Sequence, residues 1–110
     1  MQLEEETLLE AVDYGLMALG ATVRHAIYDH IKETRGLKRA DILEHIQAFH
    51  EALTTLLGKG AQPIEKVIAK KLYQQLGRTF TPHENWTLAS DPIMDEIKNS
   101  RPSLSSLTLP

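Results

Sequence analysis

The chain of 110 residues contains no cysteine. Disulfides, thiolate metal ligands and cysteine nucleophiles are therefore excluded, and the lack suits a reducing compartment. Aromatics are scarce: one tryptophan, three tyrosines and two phenylalanines. The core must then be built from aliphatic side chains. An excess of positive charge is also missing. Twelve lysines and arginines stand against 15 acids, a net charge of −3, which argues against a dedicated nucleic-acid binder. No apolar run approaches the roughly 18 residues of a membrane span, and the acidic start lacks the basic opening of a signal peptide. Together these absences point to a cytoplasmic protein with no membrane contact.

The signatures of catalysis are absent as well. There is no G-x-S-x-G, no glycine-rich phosphate loop after a strand, and no H-E-x-x-H. No two of the five histidines are three or four residues apart, the spacing of a helical metal pair. No enzymatic activity, metal or cofactor is expected. Leu57-Gly58-Lys59-Gly60-Ala61 ahead of a helix offers backbone N–H groups and a lysine, but a helix-helix turn accounts for it.

What the chain does have is aliphatic stripes that end at glycines. Gly20, Gly36, Gly58 and Gly77 each follow such a stripe, where a left-handed turn closes a helix at least cost. The spacing predicts helices over 3–19, 21–35, 37–58 and 61–76. In the third, Asp41 is either a cap or part of a short helix ahead of a longer one. Ser90-Asp91-Pro92 starts a further short helix, with a capping residue and then proline in the first turn. The expected fold is all-α, a compact bundle of four main helices with a short C-terminal helix. Residues 1–78 form the helical core domain, and 79–110 a C-terminal extension with a frayed end. The core should draw on Leu16, Ile27, Ile31, Ile46, Phe49, Leu53, Ile64, Ile68 and Leu72. Gly15, inside the first helix, costs roughly 1 kcal/mol of helix propensity, and a close helix crossing is the reason expected for it.

Charge is unevenly placed. Residues 3–13 hold five acids and no base, while 59–78 hold five bases and one acid. Either these are two solvated faces, or the acidic first helix meets the basic fourth, within one chain or across a dimer. Apolar residues off the main stripes add to the second idea. Leu3, Leu9, Met17 and Tyr73, with Trp86, Ile93, Met94 and Ile97 from the extension, are candidates for an interface. The extension either folds back over its own domain or contacts a neighbour. A homodimer or another protein partner is the expected assembly.

Two polar groupings remain. His25 and Asp29 lie four apart on the second predicted helix, and with His50 they are the residues to test for a polar site. Lys32, Arg35, Lys38 and Arg39 cluster at the turn after that helix. They would be the nucleic-acid face of a helix-turn-helix-like regulator, the alternative function. Against it, Glu44 and Glu51 on the following helix would face phosphates.

The stretch from Ala18 to Leu76 carries Ala18-Leu19-Gly20, Ala26-Ile27-Tyr28-Asp29-His30-Ile31 and Gly36-Leu37-Lys38-Arg39-Ala40-Asp41-Ile42. It continues with Phe49-His50-Glu51-Ala52-Leu53, Leu57-Gly58-Lys59-Gly60-Ala61, Ile64-Glu65-Lys66 and Leu72-Tyr73. In these blocks the chain resembles a family of small all-helical archaeal output domains, the Nitrosopumilus output domain type. The resemblance implies a signalling or regulatory module, standing alone or joined to sensor domains, that works through protein-protein contacts. It supplies no catalytic residues and does not reach 1–17 or 78–110.

Overall fold

Five α-helices make up the regular structure in a computed structural model that describes residues 3–100, apart from the Leu3 side chain. They are α1 Leu3–Met17, α2 Ala21–Arg35, α3 Ile46–Leu57, α4 Ala61–Gln75 and α5 Pro92–Ser100. No strand occurs among the described residues. The four long helices form a closed ring of neighbours. α1 packs on α2, α2 on α3, α3 on α4, and α4 returns to α1 in the most extensive pairing of all. The nine residues expected in the core are all buried there, joined by Leu8, Val12, Leu43 and Ala69. Val23 departs from its stripe: on the first turn of α2 it is 41% exposed.

The turns follow from glycine. Gly20, Gly36, Gly58 and Gly77 all adopt positive φ. Gly36 closes α2 at φ 64°, and its N–H donates to the Lys32 carbonyl at 2.9 Å. That contact satisfies one of the carbonyls a helix end leaves open.

Of the two readings of the third predicted helix, a short helix ahead of a longer one is what forms, and the longer one starts only at Ile46. Residues 37–45 are not α-helical; a 3-10 turn at Arg39–Asp41 and further turns precede α3. Lys38 is extended, and its N–H donates to the Asp41 carboxylate at 3.3 Å. This local bond competes with helix formation. Burial supplies the other reason. Leu37, Ile42, Leu43 and Ile46 are all buried. A straight helix puts Leu37 about 120–180° away from the face that holds Ile42, Leu43 and Ile46. The irregular path turns all four inward.

The described part of the extension belongs to the same core. Trp86, Leu88, Ile93, Met94 and Ile97 lie in the one hydrophobic cluster, and α5 rests on α1. This corrects the interface reading for Trp86, Ile93, Met94 and Ile97. All are at most 3% exposed, because the extension to Ser100 folds back over its own domain. Leu9, at 8% exposure, is likewise core. Met17 remains open at 45%. The Leu3 side chain and residues 101–110 lie outside the described part.

An ionic tie fixes the corner where α1, α2 and the 3-10 turn meet. The Asp13 carboxylate receives Arg39 in a fork, at 2.7 Å from Nη2 and 3.1 Å from Nε, and the Tyr28 hydroxyl at 2.5 Å. Burial by itself would raise the Asp13 carboxyl. The hydrogen bonds from Arg39 and Tyr28 outweigh it and hold the group below its ordinary value. The folded chain therefore binds this proton less tightly than the unfolded chain does. Its stabilisation is complete above the ordinary carboxylate value of about 4 and is lost as pH falls through the lower folded value. Asp13→Asn should lower the melting temperature at pH 7. The gap to the parent chain should close as a series of thermal melts is taken below about pH 4. A gap unchanged across that series would show that Asp13 acts through its shape alone.

Candidate functional sites

Of the surface depressions among the described residues, two bring together side chains suited to meet a ligand. Of the polar site expected from the sequence, only His50 lines one of them. His25 and Asp29 are both exposed on α2 and make no side-chain hydrogen bond among the described residues. His50 stands apart from them on α3, where it pairs with Glu65. The trio is therefore not one site. Four residues on a helix do not by themselves join His25 to Asp29, and both remain in solvent.

The nucleic-acid face is not assembled either. Arg35 is 3.5 Å from Glu51 and Arg39 is held by Asp13, so two of its four cations are already engaged. Lys32 and Lys38 remain exposed. Residues 36–45 intervene between α2 and α3. A helix-turn-helix joins its helices by a turn of three or four residues.

The larger depression is a groove of about 580 Å³ along α4 and the segment that follows it. Val67, Phe80 and Pro82 give it a mostly apolar lining, and Lys66, Lys70 and Arg78 stand around it. Lys66, Val67, Lys70 and Gln74 follow one another at helical steps, which is why one face of α4 supplies both lining and charge. Arg78 binds Glu96 at 2.8 Å, while Lys66 and Lys70 pair with no acid among the described residues. The far wall is anchored from beneath. Phe80 packs between Tyr73, with ring centres 5.3 Å apart, and Trp86, at 5.2 Å and nearly edge-on. Tyr73 and Trp86 both donate to Asp91, at 2.6 and 2.7 Å. Burial first, and then this hydrogen bond, push the Tyr73 hydroxyl well above its usual value, so it stays a donor.

The smaller depression is a cleft of about 390 Å³ between α3, the start of α4 and the loop at Trp86-Thr87. Its base is a hydrogen-bonded His50–Glu65 pair. The Glu65 side chain, 1% exposed, places Oε2 2.6 Å from His50 Nδ1, and its Oε1 accepts the Leu88 N–H at 3.0 Å. Both oxygens are used, so the burial of this carboxylate is compensated. Thr54, Lys59, Gln62 and Thr87 add polar groups to the lining.

Compared with known proteins, the chain matches no family model, no curated protein and no solved structure.

The sequence singles out His50 but not its partner Glu65, and the α4 groove not at all, although signals were present. Glu65 lies on the stripe Ala61, Ile64, Ile68 and Leu72, all buried. An acid at that register needs a buried partner. His50 lies on the stripe Ile46, Phe49 and Leu53 of the facing helix and supplies it. The groove had a weaker signal, since its far wall comes from 78–82, which has no period.

Proposed function

We propose that this chain is a non-catalytic interaction module that docks an acidic, amphipathic helical segment of a partner protein in the α4 groove. The observation that carries the reading is the groove's composition. An apolar lining of Val67, Phe80 and Pro82 is flanked by two lysines that no acid neutralises among the described residues. An amphipathic helix covers such a lining with its apolar face, and acids along its edges find the lysines. The lining is mostly apolar and no array of converging polar groups lies in it, which suits docking better than chemistry. A second copy's α1 has the right charge, but of its large apolar side chains only Tyr14 and Met17 are exposed among the described residues. Its Leu8, Val12 and Leu16 are already fully buried against its own chain. A separate partner is thus favoured over a homodimer. The signalling or regulatory half of the proposal rests only on the resemblance of 18–76 to output domains.

Fluorescence anisotropy with a labelled acidic amphipathic peptide tests it. Binding should weaken with added salt and fall by about tenfold or more in Lys66→Glu/Lys70→Glu, a loss near 1.4 kcal/mol. A peptide of the same sequence with its acids changed to lysine should not bind. Equal binding of the two peptides, or an unaffected double variant, would refute the reading. Sedimentation equilibrium of the chain alone should give a monomer, whereas a salt-sensitive dimer lost in the double variant would identify a second copy as the occupant.

A further inference from the structure

We propose that His50 is a phosphoryl acceptor, whose Nε2 takes a phosphoryl group from a small acyl phosphate entering the cleft beside it. The first support is the state of the ring. As a carboxylate, Glu65 only accepts hydrogen bonds. It already accepts from the Leu88 N–H through Oε1, and the 2.6 Å contact of Oε2 therefore takes a proton from His50 Nδ1. With the proton fixed on Nδ1, the neutral ring carries its free lone pair on Nε2.

The second support is where that lone pair is. His50 lines the cleft, and its side chain is 22% exposed. Among the described residues Nε2 has no hydrogen-bond partner, and the only buried side-chain polar atom without one is Arg24 Nε. Nε2 is therefore open to the cleft rather than sealed beneath it.

The third support is what surrounds it. The cleft, at about 390 Å³, is of small-molecule size. Lys59 lies at its edge with no acidic partner among the described residues, and Gln62 and Thr87 offer neutral donors. These groups suit the oxygens of a transferring phosphoryl group, where positioning and charge stabilisation do most of the catalytic work.

The step balances without a further reactant. The Nε2 lone pair attacks phosphorus, the Nε2–P bond forms, and the P–O bond to the acyl group breaks. The carboxylate leaves with the electron pair. The Nδ1 proton stays in the hydrogen bond to Glu65, whose negative charge offsets the positive charge that the ring acquires. The other four histidines, His25, His30, His45 and His83, are exposed and have no hydrogen bond to a carboxylate among the described residues. They provide an internal comparison under identical conditions.

The full chain is incubated with acetyl phosphate near neutral pH, and each histidine is followed by mass spectrometry without acid treatment. One phosphoryl group per chain is expected, on His50, formed about tenfold or more faster than on any other histidine. That is a modest part of what a positioned base contributes. Glu65→Gln should slow His50 labelling by a similar factor while leaving the other four unchanged, with circular dichroism reporting that it is folded. No adduct, or labelling of all five histidines at one rate, overturns the proposal. So does a folded Glu65→Gln variant that labels His50 at the parent rate. Should that variant unfold, the comparison among the five histidines of the parent chain decides.

Discussion

Asp91→Ala should unfold about 3 kcal/mol more easily than the parent chain, the largest loss expected from any single polar substitution here. Asp91 is 4% exposed and serves three donors at once. Tyr73 and Trp86 donate to it from α4 and the preceding loop, and the Ile93 N–H donates at 2.9 Å from the first turn of α5. Losing the helix cap costs about 1 kcal/mol, and leaving the buried Trp86 N–H without an acceptor costs about 1–3 more. In a domain of this size, the total corresponds to a fall of roughly 12–24 °C in melting temperature. Asp91→Asn keeps one acceptor oxygen and should fall between the two. If the alanine variant melts within about 4 °C of the parent, near 1 kcal/mol, the three bonds are not coupled. The groove depends on the same residue, because Phe80 is held by the two aromatic rings that Asp91 anchors. The alanine variant should therefore also lose affinity for the acidic peptide, even when assayed well below its melting point.

Asp91 shows where legibility ends. Its role as a helix start is readable, since Ser90-Asp91-Pro92 places a short polar side chain ahead of a proline. Its service to Tyr73 and Trp86 is not, because those residues are 18 and 5 positions away in the chain and no local pattern joins them. The same division runs through the molecule. Periodic apolar spacing locates the helices and nine core residues, because a helix repeats its face every 3.6 residues. At 37–45 it leaves two readings open, and the short helix ahead of a longer one is what forms, as the 3-10 turn Arg39–Asp41 before α3, because tertiary burial of Leu37 overrides a single helical run. It fails in judging surplus apolar surface. Trp86, Ile93 and Met94 look exposed in the sequence because the four helices alone would not cover them, yet the extension and α1 bury one another. The two sites are hidden for a further reason. Each is made by residues on different elements, and sequence periodicity describes only one element at a time. Glu65 and His50 are nevertheless detectable as polar residues standing on apolar stripes.

Gly15 is the position where a sequence expectation meets a defined steric cause, and its substitution should have the second large effect. A Cβ built at Gly15 would overlap Ile68 Cγ1 and lie 3.3 Å from Ile68 Cδ1 and 3.4 Å from the Ile68 backbone nitrogen. The overlapping atom is the branch of a fully buried side chain, so it has little room to swing away. α1 and α4 cross here within the chain, in the most extensive helix pairing of the fold. Gly15→Ala gains about 1 kcal/mol of helix propensity, but forcing the helices apart costs about 1–3 kcal/mol. The second effect should win, because separation loosens Leu8, Val12 and Leu16 along the whole contact. Gly15→Val adds bulk without the propensity gain and should be worse by a further 1 kcal/mol or so. The cause can be isolated with a second substitution. Ile68→Ala removes the atom that clashes and leaves a cavity costing about 2–5 kcal/mol by itself. When Gly15→Ala is combined with it, the new methyl group occupies part of that space. The double variant should therefore be more stable than the sum of the single losses predicts, by about 1 kcal/mol or more in urea unfolding. Strict additivity would mean that Gly15 is not there to let α4 approach.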